Sequence, residues 1–442
     1  MARPALPALV PTPRAALLAA AAAPLALLLG ALAPGAWIVA PVLAALLVVV
    51  ILVDALLAGA LVEARVLVPG EGEVGENLPL TVLADLASPR AGNVRAALSV
   101  DTRLAATGRA ELALRSDGAV RQGTLALVPT RRGPARVDTL WLRWTGPLGL
   151  AWKQAQRPAS LRTIILPDVR PVREGGARIF ERHALQGLLS QLDRGDGVDF
   201  DALVEYRSGM DRRAIDWKQS ARHLKLHAKE YRSERNSQIV FAVDCGRQMS
   251  EPVAGLPRVD RAVSAMLLSA WIALKLGDRV ALHAFDSRPR IASGLISGSA
   301  AFAELQSLAA DVDYGSDETN YMFALTNLTT ALKRRSMIVL FTEFTDLTSA
   351  EFMVRAAARL VETHLLLVVV FRDDELEALV DAEPQSPDDV TRAVTAAALL
   401  RDRQLVLLRL RHLGAHVIES PHELVAEKLV AAYVDLKRRD LL

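Results

Sequence analysis

The sequence is poor in cysteine, with Cys245 the only one in 442 residues. A single thiol excludes a disulfide within the chain and a metal site built from clustered cysteines. The chain also lacks an excess of either charge, because 52 Lys+Arg balance 50 Asp+Glu to a net charge of +2. That balance excludes a uniformly basic nucleic-acid-binding protein and an acidic disordered chain.

The common catalytic motifs are missing as well. The sequence has no Gly-x-Ser-x-Gly elbow, no phosphate-binding P-loop and no His-Glu-x-x-His. His223 and His227 stand at i, i+4 spacing, but their charged surroundings favour hydrogen-bonded or solvated side chains over metal ligands. We therefore predict that the protein is not an enzyme and has no catalytic residues.

The longest apolar run lies near the N-terminus, where residues 15–62 contain a single charged side chain, Asp54. A membrane-spanning helix needs about 20 apolar residues, so this run is long enough for two helices. Pro34 and Gly35 mark a turn near its middle. The sequence therefore predicts a two-helix transmembrane hairpin over residues 15–62, with Asp54 at the level of the lipid headgroups.

The alternative interpretation of this run is a cleaved signal peptide, because residues 31–33 have the small-x-small form of a cleavage site. Apolar cores of signal peptides are about 7–15 residues long, which is shorter than this run, so we favour a retained anchor. Arg3 and Arg14 predict that residues 1–14 lie in the cytoplasm. Two crossings of the inner (plasma) membrane then return the rest of the chain to the cytoplasm.

Residues 64–166 show the alternation of apolar and polar residues that is typical of strands, interrupted by Gly, Pro and Asp. The clearest segments are 78–83, 94–100, 110–114 and 139–144. We predict an antiparallel β-sandwich over 64–166 that serves as a spacer or interaction module. A linker and a charged segment follow over residues 167–236.

From residue 237 to residue 442, apolar strands alternate with amphipathic helices, which predicts an α/β domain with a parallel sheet. Ligands of such sheets bind beyond the carboxyl ends of the strands. Asp244 ends the first strand, Thr342 and Glu343 follow another, and Thr319 lies in a polar loop before a helix. We expect these side chains at the same edge of the sheet.

This pattern resembles the metal-ion-dependent adhesion site of von Willebrand factor A domains, which have a Rossmann-like fold. Asp244 and Thr319 match the family, and Glu343 stands where the family usually has aspartate. The family's two hydroxyl positions hold Gly246, which has no side-chain ligand, and Gln248, which has only a neutral carbonyl. The resemblance implies a degenerate site whose candidate ion is Mg²⁺, and we expect weak or no Mg²⁺ binding.

Residues 205–235 form a charged junction with nine basic and five acidic side chains. Because acids are interleaved with bases, most of the positive field is cancelled locally. We therefore predict a network of salt bridges and backbone hydrogen bonds that fixes an extended segment, and no nucleic-acid interface. Trp217, between Asp216 and Lys218, is expected to pack as an anchor.

The same junction resembles the signature of the bacterial "domain of unknown function 58" family. The matching residues are Tyr206, Arg207, Gly209, Asp211, Arg213, Ile215, Asp216, Trp217, Ser220, Ala221 and Arg222. Met210 replaces a usual acidic residue. Residues 131–133 and 147–150 are similar to the family's upstream β-region. The order of membrane hairpin, β-domain, signature and A-like domain is also the family's.

This second resemblance implies a function. Members of the family are linked with AAA+ ATPases of the MoxR group and are thought to act in assembling or activating other complexes. We therefore expect a membrane-anchored, cytoplasm-facing adaptor whose partners are a MoxR-type ATPase and client proteins. Two alternatives stay open, an uncharacterised enzyme and an adhesion or receptor module outside the cell.

Overall fold

The structure of the chain, a computed structural model, describes most of the sequence. The described residues are 8–32, 38–117, 120–170, 174–175, 178, 199–207, 212–223, 225–232, 237–344, 347–439 and 441–442. The predicted turn at Pro34 and Gly35 lies outside them. The chain divides into two units, Met1–Pro167 and Asp168–Leu442.

The N-terminal apolar run forms a short strand and two helices. Strand β1 (Ala8–Pro11) precedes helix α1 (Pro13–Leu32), and helix α2 (Val39–Leu57) follows. Gly59 adopts a positive φ of 70°, and strand β2 (Leu61–Leu67) starts two residues later. Among the described residues, no helix combines the length and the apolar character needed to cross a membrane. The predictions of a two-pass transmembrane hairpin and of a location in the inner membrane are therefore wrong.

Asp54 gives a physical reason for this correction. Its side chain, in the last turn of α2, is fully buried at 0% exposure. The carboxylate accepts hydrogen bonds from the backbone N–H groups of Leu148 (2.8 Å), Leu150 (2.7 Å) and Ala151 (3.1 Å). Asp54 thus lies in a protein interior and not at the lipid headgroups. Hydropathy alone misses this, because the partners of Asp54 are more than 90 residues away.

The N-terminal unit contains one continuous nine-stranded sheet. Beyond β1 and β2, its strands are β3 (Glu71–Glu73), β4 (Leu78–Leu86), β5 (Val94–Val100), β6 (Arg109–Asp117), β7 (Val120–Leu127), β8 (Gly133–Thr145) and β9 (Ala151–Leu166). Their order is β1-β9-β8-β5-β6-β7-β4-β2, with β3 added to β9. All of these pairings are antiparallel except that of β3 with β9, which is parallel.

Strand β6 explains why the predicted β-sandwich is wrong. Its residues 109–114 pair with β5, and its residues 115–117 pair with β7. One strand therefore joins the two halves of the sheet, which a sandwich would keep separate. The alternation predicted at 94–100 and 139–144 is confirmed, since both segments lie in strands. Their inward side chains, such as Leu98 and Leu140, are at most 5% exposed, and the sheet curls around this single core.

The C-terminal unit contains a six-stranded sheet. Its strands are β12 (Gln238–Asp244), β15 (Arg279–Phe285), β16 (Pro289–Ala292), β17 (Met337–Phe341), β18 (Leu365–Phe371) and β19 (His416–Ser420). The same unit holds two small hairpins, β10 (Asp199–Glu205) with β11 (His227–Arg232), and β13 (Pro252–Val253) with β14 (Leu256–Pro257). The order of the large sheet is β16-β15-β12-β17-β18-β19.

This sheet is mixed, which corrects the prediction of a parallel sheet. Strands β15, β12, β17, β18 and β19 pair in parallel, but β16 is antiparallel to β15. Only residues 286–288 connect β15 with β16. Such a short link cannot make the crossover that a parallel pair needs.

Helices cover both faces of this sheet. The described helices of the unit are α3 (Trp217–His223), α4 (Arg247–Ser250), α5 (Arg258–Lys275), α6 (Phe302–Ala310), α7 (Tyr321–Ala331), α8 (Leu347–Thr363), α9 (Asp374–Asp381), α10 (Pro387–His412) and α11 (Val425–Arg438). Helices α5, α6 and α11 pack with Phe241 on one face, and α7, α8 and α10 pack with Val240 on the other. Because both faces are covered, the central strands are mainly apolar.

We predict that Asp54→Ala destabilises the N-terminal unit by about 3 kcal/mol, because it leaves three backbone N–H groups without their acceptor. Amide hydrogen exchange at Leu148 and Leu150 should speed up together. Glu63→Ala is the control, since Glu63 pairs with Arg65 on the surface and such pairs contribute about 0–1 kcal/mol. Equal exchange in both variants would contradict this role of Asp54.

Candidate functional site

The candidate site is centred on the carboxylate of Asp244, at the carboxyl end of β12. Its Oδ1 accepts hydrogen bonds from the backbone N–H of Gly246 (2.9 Å) and from Thr319 Oγ1 (2.7 Å). Its Oδ2 accepts from Thr342 Oγ1 (2.7 Å) and lies 3.1 Å from the Tyr321 hydroxyl. The expected meeting of Asp244, Thr319 and Thr342 at one edge is confirmed, and four donors surround one carboxylate.

Tyr321 is a site residue that sequence reasoning missed. It is the first residue of α7, and its hydroxyl lies 2.9 Å from Thr342 Oγ1 and 3.1 Å from the carbonyl oxygen of Glu343. Its side chain is 3% exposed. A tyrosine that opens a helix directly after a polar loop was the available signal. Its position at the edge of the sheet depends on tertiary packing.

Gly246 has a steric role beside this carboxylate. Its backbone is extended, at φ −69° and ψ −179°, so the conformation itself does not require glycine. A Cβ at this position would overlap Thr319 Oγ1 and would lie 3.2 Å from Asp244 Oδ1. A side chain therefore cannot be added at 246 while Thr319 donates directly to Asp244.

The Glu343 carboxylate faces two buried arginines. Its Oε1 accepts a hydrogen bond from Arg403 Nη1, and its Oε2 lies 3.6 Å from Arg258 Nε. Both arginine side chains are 8% exposed. Arg258 also pairs with Glu251 and Asp373, each at 3.2 Å. Glu343 is therefore neutralised by one cation from the start of α5 and one from within α10.

These residues do not fit a divalent cation. The two oxygens of Asp244 are taken by protein donors, and Glu343 is neutralised by arginines. Gly246 has no ligand to offer. Gln248 has a buried Oε1 without a hydrogen-bond partner among the described residues, but one neutral oxygen does not replace the carboxylates that a divalent cation prefers. Within the described ranges, no group of three or more His, Cys, Asp or Glu side chains is placed to hold a metal ion.

Burial controls the electrostatics of the site. It raises the pKa of Asp244 from 3.8 to about 6, although its four hydrogen bonds act in the opposite direction. Burial also raises the pKa of Glu343, with Arg403 and Arg258 opposing that change. The pKa of Tyr321 lies well above its usual value because the side chain is buried and faces the charge of Asp244. Tyr321 therefore stays protonated as a donor.

The signature residues lie in sequence between β10 and β11, and Trp217, Ser220 and Arg222 among them belong to α3. Asp216 directly precedes α3, and its Oδ1 accepts hydrogen bonds from the N–H groups of Lys218 (3.0 Å) and Gln219 (3.1 Å) in the first turn. Ser220 Oγ donates to the Asp216 carbonyl (2.7 Å) and accepts from the His227 N–H (2.8 Å). These bonds hold α3 against β11, which confirms the expected backbone hydrogen bonds of the junction.

The predicted salt bridges of the junction are present in part. Lys225 pairs with Glu205 (3.1 Å), and Lys229 pairs with Asp216 (3.3 Å). Trp217, however, is 69% exposed, so the prediction that it packs as an anchor is wrong. The helix start at Asp216 turns its neighbour outward.

The remaining signature residues have the following places. Tyr206 and Arg207 directly follow β10, and Arg222 is an exposed residue of α3. Arg213 lies in a short 3₁₀ turn, Arg212–Ala214. Gly209 and Asp211 lie outside the described residues. The signature is thus separate in sequence from the residues around Asp244.

Comparison with known families gives one match. Residues 203–403 match the family model described as "Protein of unknown function DUF58". This match confirms the resemblance of the junction and extends it from β10 into α10. Comparison with curated proteins gives no match.

Among the solved structures that are similar to this chain, two come from Bacteroides species. One is the conserved hypothetical protein BatB from Bacteroides thetaiotaomicron, with 12% identity, 46% of this chain and 99% of that chain covered, and a TM-score of 0.29. The other is an aerotolerance-related membrane protein from Bacteroides fragilis with multiple mutations to serines, with 13% identity, 45% and 98% covered, and a TM-score of 0.28. Scores this low define neither fold nor function here. The von Willebrand factor A-like domain stays a prediction.

The raised pKa of Asp244 predicts a pH-dependent stability. The folded state holds the proton up to about pH 6, whereas the unfolded chain releases it near pH 3.8, so stability falls as pH rises between these values. The loss attributable to Asp244 is about 3 kcal/mol, because each tenfold difference in proton affinity corresponds to about 1.4 kcal/mol. Urea unfolding of Asp244→Asn should lack this part of the decline. Parallel curves for the two proteins from pH 4 to 6 would contradict the assignment.

Steric coupling between residues 246 and 319 gives a second prediction. Gly246→Ala should lower the free energy of unfolding by about 1–3 kcal/mol, because a methyl group is forced against Thr319 Oγ1. In a Thr319→Ala background the same change should cost less than about 1 kcal/mol, since the clashing atom is gone. Thermal unfolding of the four proteins measures this coupling. Additive costs would show that Thr319 is not the obstacle.

Proposed function

We propose that the chain is an interaction protein that works with a MoxR-type AAA+ ATPase in the assembly or activation of other protein complexes. The family resemblance suggests the partner, and the match over residues 203–403 supports the resemblance. The edge of the sheet where α/β proteins bind small ligands is closed by mutual hydrogen bonds around Asp244. A closed polar edge suits a rigid binding module.

The exposed indole of Trp217 carries the proposal. It is 69% exposed at the start of α3, next to the exposed cations Lys218 and Arg222. Lys218 and Arg222 share one helical face, because they stand at i, i+4 spacing. Tryptophan and arginine are the residues that most often dominate protein interfaces. We infer that α3 contacts the ATPase through Trp217 and that the facing surface is acidic.

Trp217→Ala should weaken the interaction by at least about thirtyfold, since interface hot spots contribute about 2 kcal/mol or more. The test is pull-down with the tagged full chain, with mass spectrometric identification of a MoxR-type ATPase, followed by titration with that purified ATPase. Phe352→Ala is the matched control, because Phe352 is an aromatic residue 49% exposed on α8.

Two results would refute the proposal. Repeated pull-downs that recover no MoxR-type ATPase would contradict the proposed partner. Equal binding of the ATPase by Trp217→Ala and Phe352→Ala would show that α3 is not the contact surface. The absence of enzymatic activity remains a prediction, and hydrolytic or transferase activity that is lost in Asp244→Ala would overturn it.

A further inference from the structure

A cavity lies on the outer face of the N-terminal sheet. It has a volume of about 460 Å³ and is lined by residues of β5, β6, β8 and β9 and by Gly108. This volume is within the range of about 300–1,000 Å³ that is typical of small-molecule sites. The small side chains of Ala97 and Ser99 of β5 leave room for this cavity.

Two arginines from neighbouring strands line this cavity. Arg95 of β5 and Arg143 of β8 are directly opposed in the antiparallel register. Like charges that stand directly opposite each other on neighbouring strands destabilise the pair. Both arginines are exposed, and among the described residues neither has an acidic partner. An anion between them would relieve the repulsion.

The remaining lining favours a negative ligand with a ring. The one acid in the lining, Glu111, is held by Arg109 at 2.7 Å, so the charged lining residues sum to +2. Gln154 supplies an amide, and the half-buried Trp141 supplies an aromatic wall. Aromatic walls favour planar ring systems by stacking.

The orientation of Arg143 is set by a second tryptophan. Its guanidinium carbon lies 4.2 Å from the centre of the Trp152 ring, in a cation–π contact. A stacked guanidinium keeps its N–H groups free in its own plane, where they can bind an oxyanion in bidentate geometry. Because the Trp152 ring already restricts the Arg143 side chain, Arg143 loses less conformational freedom when it binds an anion.

We propose that this cavity binds a small molecule that carries an oxyanion, either carboxylate or phosphate, on a planar ring. Arg95 and Arg143 bind the oxyanion, and Trp141 stacks against the ring. The site lies in the N-terminal unit and is independent of the proposed contact of α3 with an ATPase.

The chain offers a matched control for the arginine pair. Arg136 of β8 and Arg162 of β9 are also directly opposed and exposed, but they do not line the cavity. A cross-strand arginine pair without a cavity should attract anions only through its charge. Arg162→Gln therefore removes the same charge as Arg95→Gln without touching the proposed site.

The test uses the full chain with ¹⁵N-labelled tryptophan and follows the six indole N–H signals by NMR. Trp141→Phe assigns the signal of Trp141. The probes are phenyl phosphate and benzoate, with benzyl alcohol as the neutral control. We expect a saturable shift of the Trp141 signal with at least one of the two anions and none with benzyl alcohol. The tighter probe identifies phosphate or carboxylate as the preferred group.

The variants then test the arginines. Arg95→Gln and Arg143→Gln should each raise the dissociation constant about tenfold or more, which is the loss expected for a charge-assisted hydrogen bond. Arg162→Gln should leave it within about twofold. The proposal is overturned if neither anion shifts the Trp141 signal at millimolar concentration, if benzyl alcohol binds as tightly as benzoate, or if Arg162→Gln weakens binding as much as Arg95→Gln.

Discussion

The hydrogen bonds to the buried carboxylate of Asp244 are the interaction on which the C-terminal unit depends most. Burying a charge is costly unless protein donors replace water, and here four donors do so. They come from the turn after β12, from the loop before α7 together with the first residue of that helix, and from the residue directly after β17. A single side chain thus ties three chain segments to one edge of the sheet. The need for hydrogen-bond donors around this carboxylate explains why residues with hydroxyl groups, Thr319, Tyr321 and Thr342, occupy these positions.

A second buried charge, Glu343, extends this arrangement. It directly follows Thr342, so the side chain that binds Asp244 and the side chain that meets the arginines belong to adjacent residues. Arg403 also contacts Glu419 at 3.2 Å, which carries the network from β17 to β19. Removing one member of such a buried network leaves another charge uncompensated. The edge of the sheet is therefore held as a unit.

The sequence predicted those parts of the fold whose signal is local. Apolar runs identified β12, β15 and β18 because strands covered on both faces contain little else. Alternation of apolar and polar residues identified β5 and β8, because only one face of each strand packs on the core. The continuous path of the nine-stranded sheet was not predictable, because it depends on β6 exchanging one neighbour for another partway along its length.

The site was predictable to a similar extent. The pairing of Asp244 with Thr319 followed from their places at strand and helix ends. The orientation of Glu343 could not be predicted, because its partner Arg403 is 60 residues away on α10 and no local sequence pattern identifies it. Asp54 could not be placed from the sequence for the same reason, because the backbone N–H groups that bind its carboxylate are more than 90 residues away. Alternating charge likewise cannot tell whether Trp217 faces inward or outward.

The pairing of β1 with β9 has a consequence for how the chain is made. Residues Ala8 and Gln154 are register partners, yet the ribosome releases the first long before it has joined the second. Strands β4 to β8 can meet as they emerge, whereas β1 must wait with its backbone unpaired. Long-range pairings of this kind form slowly, and unpaired strands are prone to wrong contacts during synthesis. Pairing of β1 with β9 is thus a late step, because β1 is made well before its partner strand.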